Sequence, residues 1–102
     1  MTEKEFKINI IQIALMEDYK KAISDIIKKQ MEIVGPVVAL SVAQKATSVK
    51  VSPSGDILEI IGDPKSALEQ VAEAYIAFSG EISKMILKSV IKSYPDITIN
   101  HL

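Results

Sequence analysis

The one histidine is His101, next to the C-terminus. Terminal side chains are poorly held, and any Ser/His/Asp relay would have to run through it. Cysteine is absent, which removes disulfides, thiol catalysis and cysteine-based zinc or iron–sulfur centres. Asp25 and Glu32 are seven positions apart and would share a helix face, the raw material of an oxygen-only magnesium site. Nothing else in the spacing joins them, and the plain reading is two solvated carboxylates. Ser54-Gly55-Asp56 and Ile61-Gly62-Asp63-Pro64 contain glycine but do not follow a phosphate-loop pattern. The carboxylate of Asp63 at a helix start would repel a phosphate there. These residues predict no catalytic set, no metal site and no cofactor, so the chain reads as a non-enzyme.

Lysine offers a second kind of chemistry. All 12 basic residues are lysine. Lys20, Lys21, Lys28 and Lys29 fall on one helical stretch, and Lys84, Lys88 and Lys92 recur every four residues on another. Such a basic surface could follow a nucleic-acid backbone. Without arginine for base edges and with only five aromatic residues, base readout and stacking are poorly served. The net charge of −1 supplies no long-range attraction for nucleic acid or an anionic membrane. Met16, Met31 and Met85 suit an adaptable binding surface, or equally a core.

The elements that would position these residues centre on Val34-Gly35-Pro36-Val37-Val38-Ala39-Leu40-Ser41-Val42-Ala43. Gly35 can take the left-handed conformation that ends a helix, and Pro36 suits the first position of the next. The second helix, from Pro36 to Ala46, is apolar nearly all round, which predicts burial. It is too short to cross a bilayer, which needs about 20 residues. Val34, Gly35, Pro36, Val37 and Leu40 are the candidate interface or pocket, and Lys84, Lys88 and Lys92 the candidate basic surface.

Residues 1–16 carry two signals. Phe6, Ile8 and Ile10 alternate with polar residues, which predicts a strand over 5–14. Thr2-Glu3-Lys4-Glu5 fits a capping box, and the rival is a single helix running through to Val34. Asp18 reads as an N-cap ahead of an amphipathic helix with Tyr19, Ala22, Ile23, Ile26, Ile27, Met31 and Val34 on its apolar side. Val49–Val51 and 57–61 form a hairpin, with Pro53 and Gly55 placed for a type I turn and a left-handed residue. An isolated hairpin is marginal in water and needs cover. Asp63-Pro64 opens a helix with Ala67, Leu68, Val71, Ala72, Tyr75, Ile76 and Phe78 on one side. Ser79-Gly80 breaks it. A last helix follows to about Ser93, with Ile82, Met85, Ile86 and Val90 on one face, and 96–99 is a short strand or a frayed end.

Gly35 and Gly80 are 45 positions apart, and the same shift pairs Asp18 with Asp63, Ile26 with Val71, Ile33 with Phe78, Val37 with Ile82 and Leu40 with Met85. This suggests an internal repeat of 18–46 on 63–91. At 102 residues the chain reads as one domain. The expected fold is α+β: two glycine-broken helix pairs with a small antiparallel sheet built on the 49–61 hairpin, the alternative being mostly α with a long N-terminal helix. The charged start lacks an apolar h-region, and the chain reads as cytoplasmic, without a membrane span. Its lysine, glutamate and isoleucine content suits a thermophile. With 48% hydrophobic residues on a short chain and open hairpin edges, the functional expectation is a homodimeric protein–protein interaction or regulatory module. The alternatives are a small-molecule sensor with an apolar pocket between the helices, and a nucleic-acid-associated protein.

Overall fold

The computed structural model describes residues 2–99. Helix α1 spans Glu3–Val34 and α2 Pro36–Ala43. Strands β1 (Val49–Val51) and β2 (Ile57–Ile60) follow, then helix α3, Pro64–Ile91, broken at Ser79–Gly80. The architecture is helix-rich α+β with one small antiparallel sheet, as the patterning predicts. Among the described residues, no helix is long and apolar enough to cross a membrane.

The core follows the helical periodicity. Ala22, Ile23, Ile26, Ile27 and Gln30 are buried on α1, and Ala67, Leu68, Val71, Ala72 and Tyr75, each 45 positions later, are buried on α3. Beyond the breaks Ala39, Val42, Ala43 and Ala46 are buried, matched 44 positions later by Ser83, Ile86, Leu87 and Val90. Each fully buried Ile or Leu contributes roughly 1.5–3 kcal/mol relative to exposure.

The strand expected over 5–14 is helical instead. Residues 18–34 are anchored by core packing, and each residue added ahead of an existing helix gains a hydrogen bond without a new nucleus. Among the described residues the sheet holds β1 and β2 alone, so a strand over 5–14 finds no partner in the structure. Asp18 consequently lies inside α1 and caps nothing. The cap expected at Asp63 is realised: its carboxylate accepts from the Ser66 N–H at 3.0 Å and from the Ser66 hydroxyl at 2.9 Å.

The hairpin pairs Val49 with Ile60 and Lys50 with Glu59, with a bulge before Val51–Ile57. The Gly55 N–H donates to Ser52 O at 3.0 Å, closing the expected turn. Its cover is α1. The Ile57 N–H donates to Ser24 Oγ at 2.9 Å, and Lys28 meets Asp56 at 2.6 Å.

Two expectations about burial need correction. Helix α2 is not buried all round: Val37 and Val38 are exposed, because only the Ala39–Val42–Ala43 side meets the bundle. After Gly80 the buried face is Ser83, Ile86, Leu87 and Val90, while Ile82 and Met85 face solvent. Residues 96–99 form no strand; Ile97 is buried and ties the end to the core.

Candidate interaction surfaces

Both chain breaks rest on glycine. Gly35 has φ 87° and ψ 157°, and Gly80 has φ 51° and ψ −119°. Both combinations are strongly unfavourable for residues with a Cβ. Gly35 has the positive φ expected of a helix stop, but its ψ is extended, so the chain turns away sharply. The Gly35 N–H still donates to Met31 O at 3.0 Å, and its carbonyl accepts from Ala39 N at 3.1 Å to begin α2.

The two units interlock just past these corners. Gln30 Nε2 donates to Ser83 Oγ at 2.9 Å, across from α1 to the second half of α3. The Tyr75 hydroxyl donates to Ala39 O at 2.8 Å, from the first half of α3 to α2. Ser83 Oγ donates to Tyr75 O at 2.9 Å, and Ser79 Oγ makes a short hydrogen bond with Ser83 Oγ. At the other end, Tyr19 shares a cleft with Asp63, Pro64 and Lys65. Helix α1 from Tyr19 onward and the first half of α3 therefore run side by side in the same direction. Gly35 and Gly80 turn the chain at the same end of the bundle.

Burial pushes the Tyr75 phenol pKa well up, so it stays a neutral donor. Gln30 is fully buried, yet its Oε1 has no hydrogen-bond partner. Gln30→Leu is therefore expected to hold or raise stability. It removes an unpaired buried acceptor, and Ser83 keeps the Tyr75 carbonyl. Tyr75→Phe removes a satisfied donor and should lose about 0.5–1.5 kcal/mol. Urea unfolding of both variants checks the order; a larger loss for Gln30→Leu would refute it.

The corner end is apolar and open. Val37 is 83% exposed and Met85 70%, and Ile33, Val38, Phe78 and Ile82 are also exposed. Of the candidate interface residues, Val34, Gly35 and Leu40 are half-buried and Pro36 and Val37 exposed. Pro36 and Val37 belong to this outward surface, while Leu40 packs against the core.

The opposite end carries an arm. Helix α1 begins well ahead of Tyr19, the first buried side chain among those described on it. Ile11 and Ile13 are each 65% exposed, with Ile10 and Leu15 also open to solvent. The stretch from Ile10 to Met16 contains no charge. At its base lies a cleft of about 350 Å³ lined by Gln12, Leu15, Met16, Tyr19, Asp63, Pro64 and Lys65. Burial, and then the Asp63 and Glu69 charges, raise the Tyr19 phenol pKa.

The lysines are interleaved with acids. Lys20 meets Glu17 at 3.8 Å, Lys28 meets Asp56 at 2.6 Å, Lys29 meets Glu32 at 3.4 Å and Lys84 meets Glu81 at 3.3 Å. Lys88 and Lys92 border a cleft of about 490 Å³ with Ile91, Tyr94, Pro95, Ile97, Thr98 and Ile99. The structure thus mixes charge signs along the faces expected to be basic. Asp25 and Glu32 do line one cleft, but with Lys28 and Lys29 between them. Among the described residues, no group of three or more metal-capable side chains forms. The Tyr94 hydroxyl donates to Asp25 Oδ2 at 2.6 Å, and desolvation with this bond pushes its pKa up to about 12. His101 lies outside the described residues.

The Ser66 hydroxyl and N–H hold the Asp63 carboxyl below its ordinary value of 3.8. A folded pKa below the unfolded one adds stability above the unfolded value, and this is lost as pH falls through the folded value. Asp63→Ala should therefore lower the melting temperature at neutral pH, with the gap closing as the pH drops through and below 3.8. Thermal melts of both proteins across that range test it; a gap that persists at low pH would count against the charged cap.

Sequence reasoning does not reach the Gln30–Ser83–Tyr75 network, which joins segments far apart in the chain. For the arm, the alternation of Phe6, Ile8 and Ile10 favours a strand, and the rival reading of one helix through to Val34 is the one the structure holds. Comparison with protein-family models, curated proteins and solved structures finds no match to this chain.

Proposed function

We propose that the chain is a non-enzymatic protein–protein interaction or regulatory module that acts as a cytoplasmic homodimer. One observation carries this reading: the exposed large apolar residues are grouped. Among the described residues, and apart from Leu58 and Ile61, they fall on the arm (Ile10, Ile11, Ile13, Leu15) or the corner end (Ile33, Val37, Val38, Phe78, Ile82, Met85). Contiguous exposed apolar surface is the usual mark of a docking face. Two such faces at opposite ends of one bundle suit a protein that pairs with itself and presents a second surface to another protein. The matched burial of the two helix–glycine–helix units, and their reciprocal bonds, support reading 18–46 and 63–91 as an internal repeat.

Native mass spectrometry of the purified protein tests the reading. A dimer without added mass is expected. A bare monomer overturns the homodimer. A monomer carrying extra mass replaces the interaction module with a small-molecule sensor.

A further inference from the structure

We propose that the homodimer forms by exchange of the second half of α3. The corner at Ser79–Gly80 opens into continuous helix, and the chain beyond it packs on the other copy's bundle as it packs on its own. This rests on the homodimer reading above and names the segment that makes it.

The contacts define the corner as a reversal. Ser83 bonds to Gln30, and Tyr94 to Asp25 further back on α1. The second half of α3 therefore runs back along α1, against the direction of the first half. Two residues make the turn: Ser79 with φ −136°, and Gly80 with φ 51° and ψ −119°. A short connection held in an unusual backbone state is the kind that domain exchange straightens.

The two corners are not equivalent. Position 36 is proline, while position 81, its match at the 45-residue shift, is glutamate. In a continuous helix Pro36 would lack its donor and its ring would collide with the Glu32 carbonyl. The Gly35–Pro36 corner is therefore permanent. From Ser79 to Tyr94 there is no proline, so the second corner can close into regular helix. A straight α3 of 28 residues would be about 42 Å long.

The apolar phase is the independent observation. Leu68, Val71, Tyr75, Phe78 and Ile82 follow one another at three, four, three and four positions, one stripe on an unbroken helix. The first three are fully buried, but Phe78 and Ile82 are exposed while the corner is in place. Ser83, Ile86, Leu87 and Val90 form a different stripe, buried in the chain's own bundle. The bent helix covers only this second stripe beyond the break. Exchange covers both. The partner's bundle receives Ser83, Ile86, Leu87 and Val90 in the contacts already described. The two straight helices cross antiparallel at Gly80, which sets Phe78 of each copy against Ile82 of the other. A second copy is the occupant because the receiving groove on α1 is built for this very segment.

The chain has no cysteine, so one thiol can be placed per chain. Asp25→Cys and Tyr94→Cys copies are unfolded in urea, refolded together and treated with a short thiol-to-thiol cross-linker. An exchanged dimer gives the mixed cross-link between chains. Gly80→Ala places a Cβ with nothing within 4 Å, so its effect comes from the backbone: it disfavours the bend and favours helix. It is expected to lower the dimer dissociation constant about tenfold or more. Glu81→Pro copies the first corner and bars the straight helix, and should raise that constant about tenfold or more. Ile82→Glu, at an exposed position, should raise it as well and keeps the test open if Glu81→Pro does not fold; circular dichroism shows which variants are folded. A wild-type dimer whose single-cysteine copies fail to cross-link, while the Asp25→Cys/Tyr94→Cys double variant cross-links within one chain, overturns the exchange and leaves the homodimer standing. So does a dissociation constant unmoved by both Gly80→Ala and Ile82→Glu. A wild-type monomer at about 100 μM overturns both.

Discussion

Gly55→Ala is expected to be among the most damaging single substitutions outside the core. Gly55 sits in the hairpin turn with φ +89°, and a Cβ there would lie 2.7 Å from Met31 Sδ, 3.2 Å from Lys28 Cγ and 3.4 Å from Ile27 Cγ2. Two separable costs follow. Forcing a side chain into that backbone region costs about 1–3 kcal/mol. Pushing the hairpin off α1 adds about 1–3 kcal/mol of overpacking, and it disturbs the Lys28–Asp56 pair and the Ile57–Ser24 bond. Gly62→Ala isolates the first cost, because Gly62 has φ +83° with nothing within 4 Å of the added Cβ. Chemical denaturation should show Gly55→Ala well below Gly62→Ala. Met31→Ala in the Gly55→Ala background should recover part of the difference. Equal losses at the two glycines would show that close packing against α1 is not what the hairpin depends on.

Leu87→Ala should be the other large loss, against almost none for Met85→Ala two positions away. Leu87 is fully buried in the core cluster, whereas Met85 is 70% exposed. Truncating a fully buried leucine removes about 2–5 kcal/mol through lost transfer energy and the cavity left behind. That is a large share of the roughly 5–15 kcal/mol that holds a small domain together. Exposed substitutions usually stay within about 0.5 kcal/mol. Thermal melts of both variants decide the matter. Comparable losses at Met85 and Leu87 would mean that the corner end is covered in solution, and would redraw the exposed surface on which the interaction reading stands.

That contrast also shows where sequence patterning stopped. The stretch after Gly80 offers apolar residues at Ile82, Met85, Ile86, Leu87 and Val90, enough for two overlapping stripes. Periodicity alone does not choose between them. The choice comes from the backbone at Ser79 and Gly80, whose non-helical angles rotate the second half of α3 relative to the first. Ser83, Ile86, Leu87 and Val90 then face inward. The same holds for α2, whose composition reads as buried but which meets the bundle on one side only.

The arm is a harder case. Its alternation fits a strand and its capping box fits a helix, so local signals conflict. The long helix wins because residues 18–34 are already helical and packed, so each preceding residue extends an existing helix at no nucleation cost.

The sequence by itself determined the parts that depend on local backbone chemistry. The helix stops at Gly35 and Gly80, the cap at Asp63, the hairpin turn at Pro53–Gly55 and the buried stripes through Ile26 and Val71 follow from φ/ψ limits, missing donors and side-chain spacing. Those constraints act within a few residues. The tertiary structure alone decided which apolar residues stay exposed, that Gln30 meets Ser83 while Tyr75 meets Ala39, and that the first residues of the chain extend α1. Each of these depends on contacts between segments distant along the chain, and burial is settled by what packs on the other side.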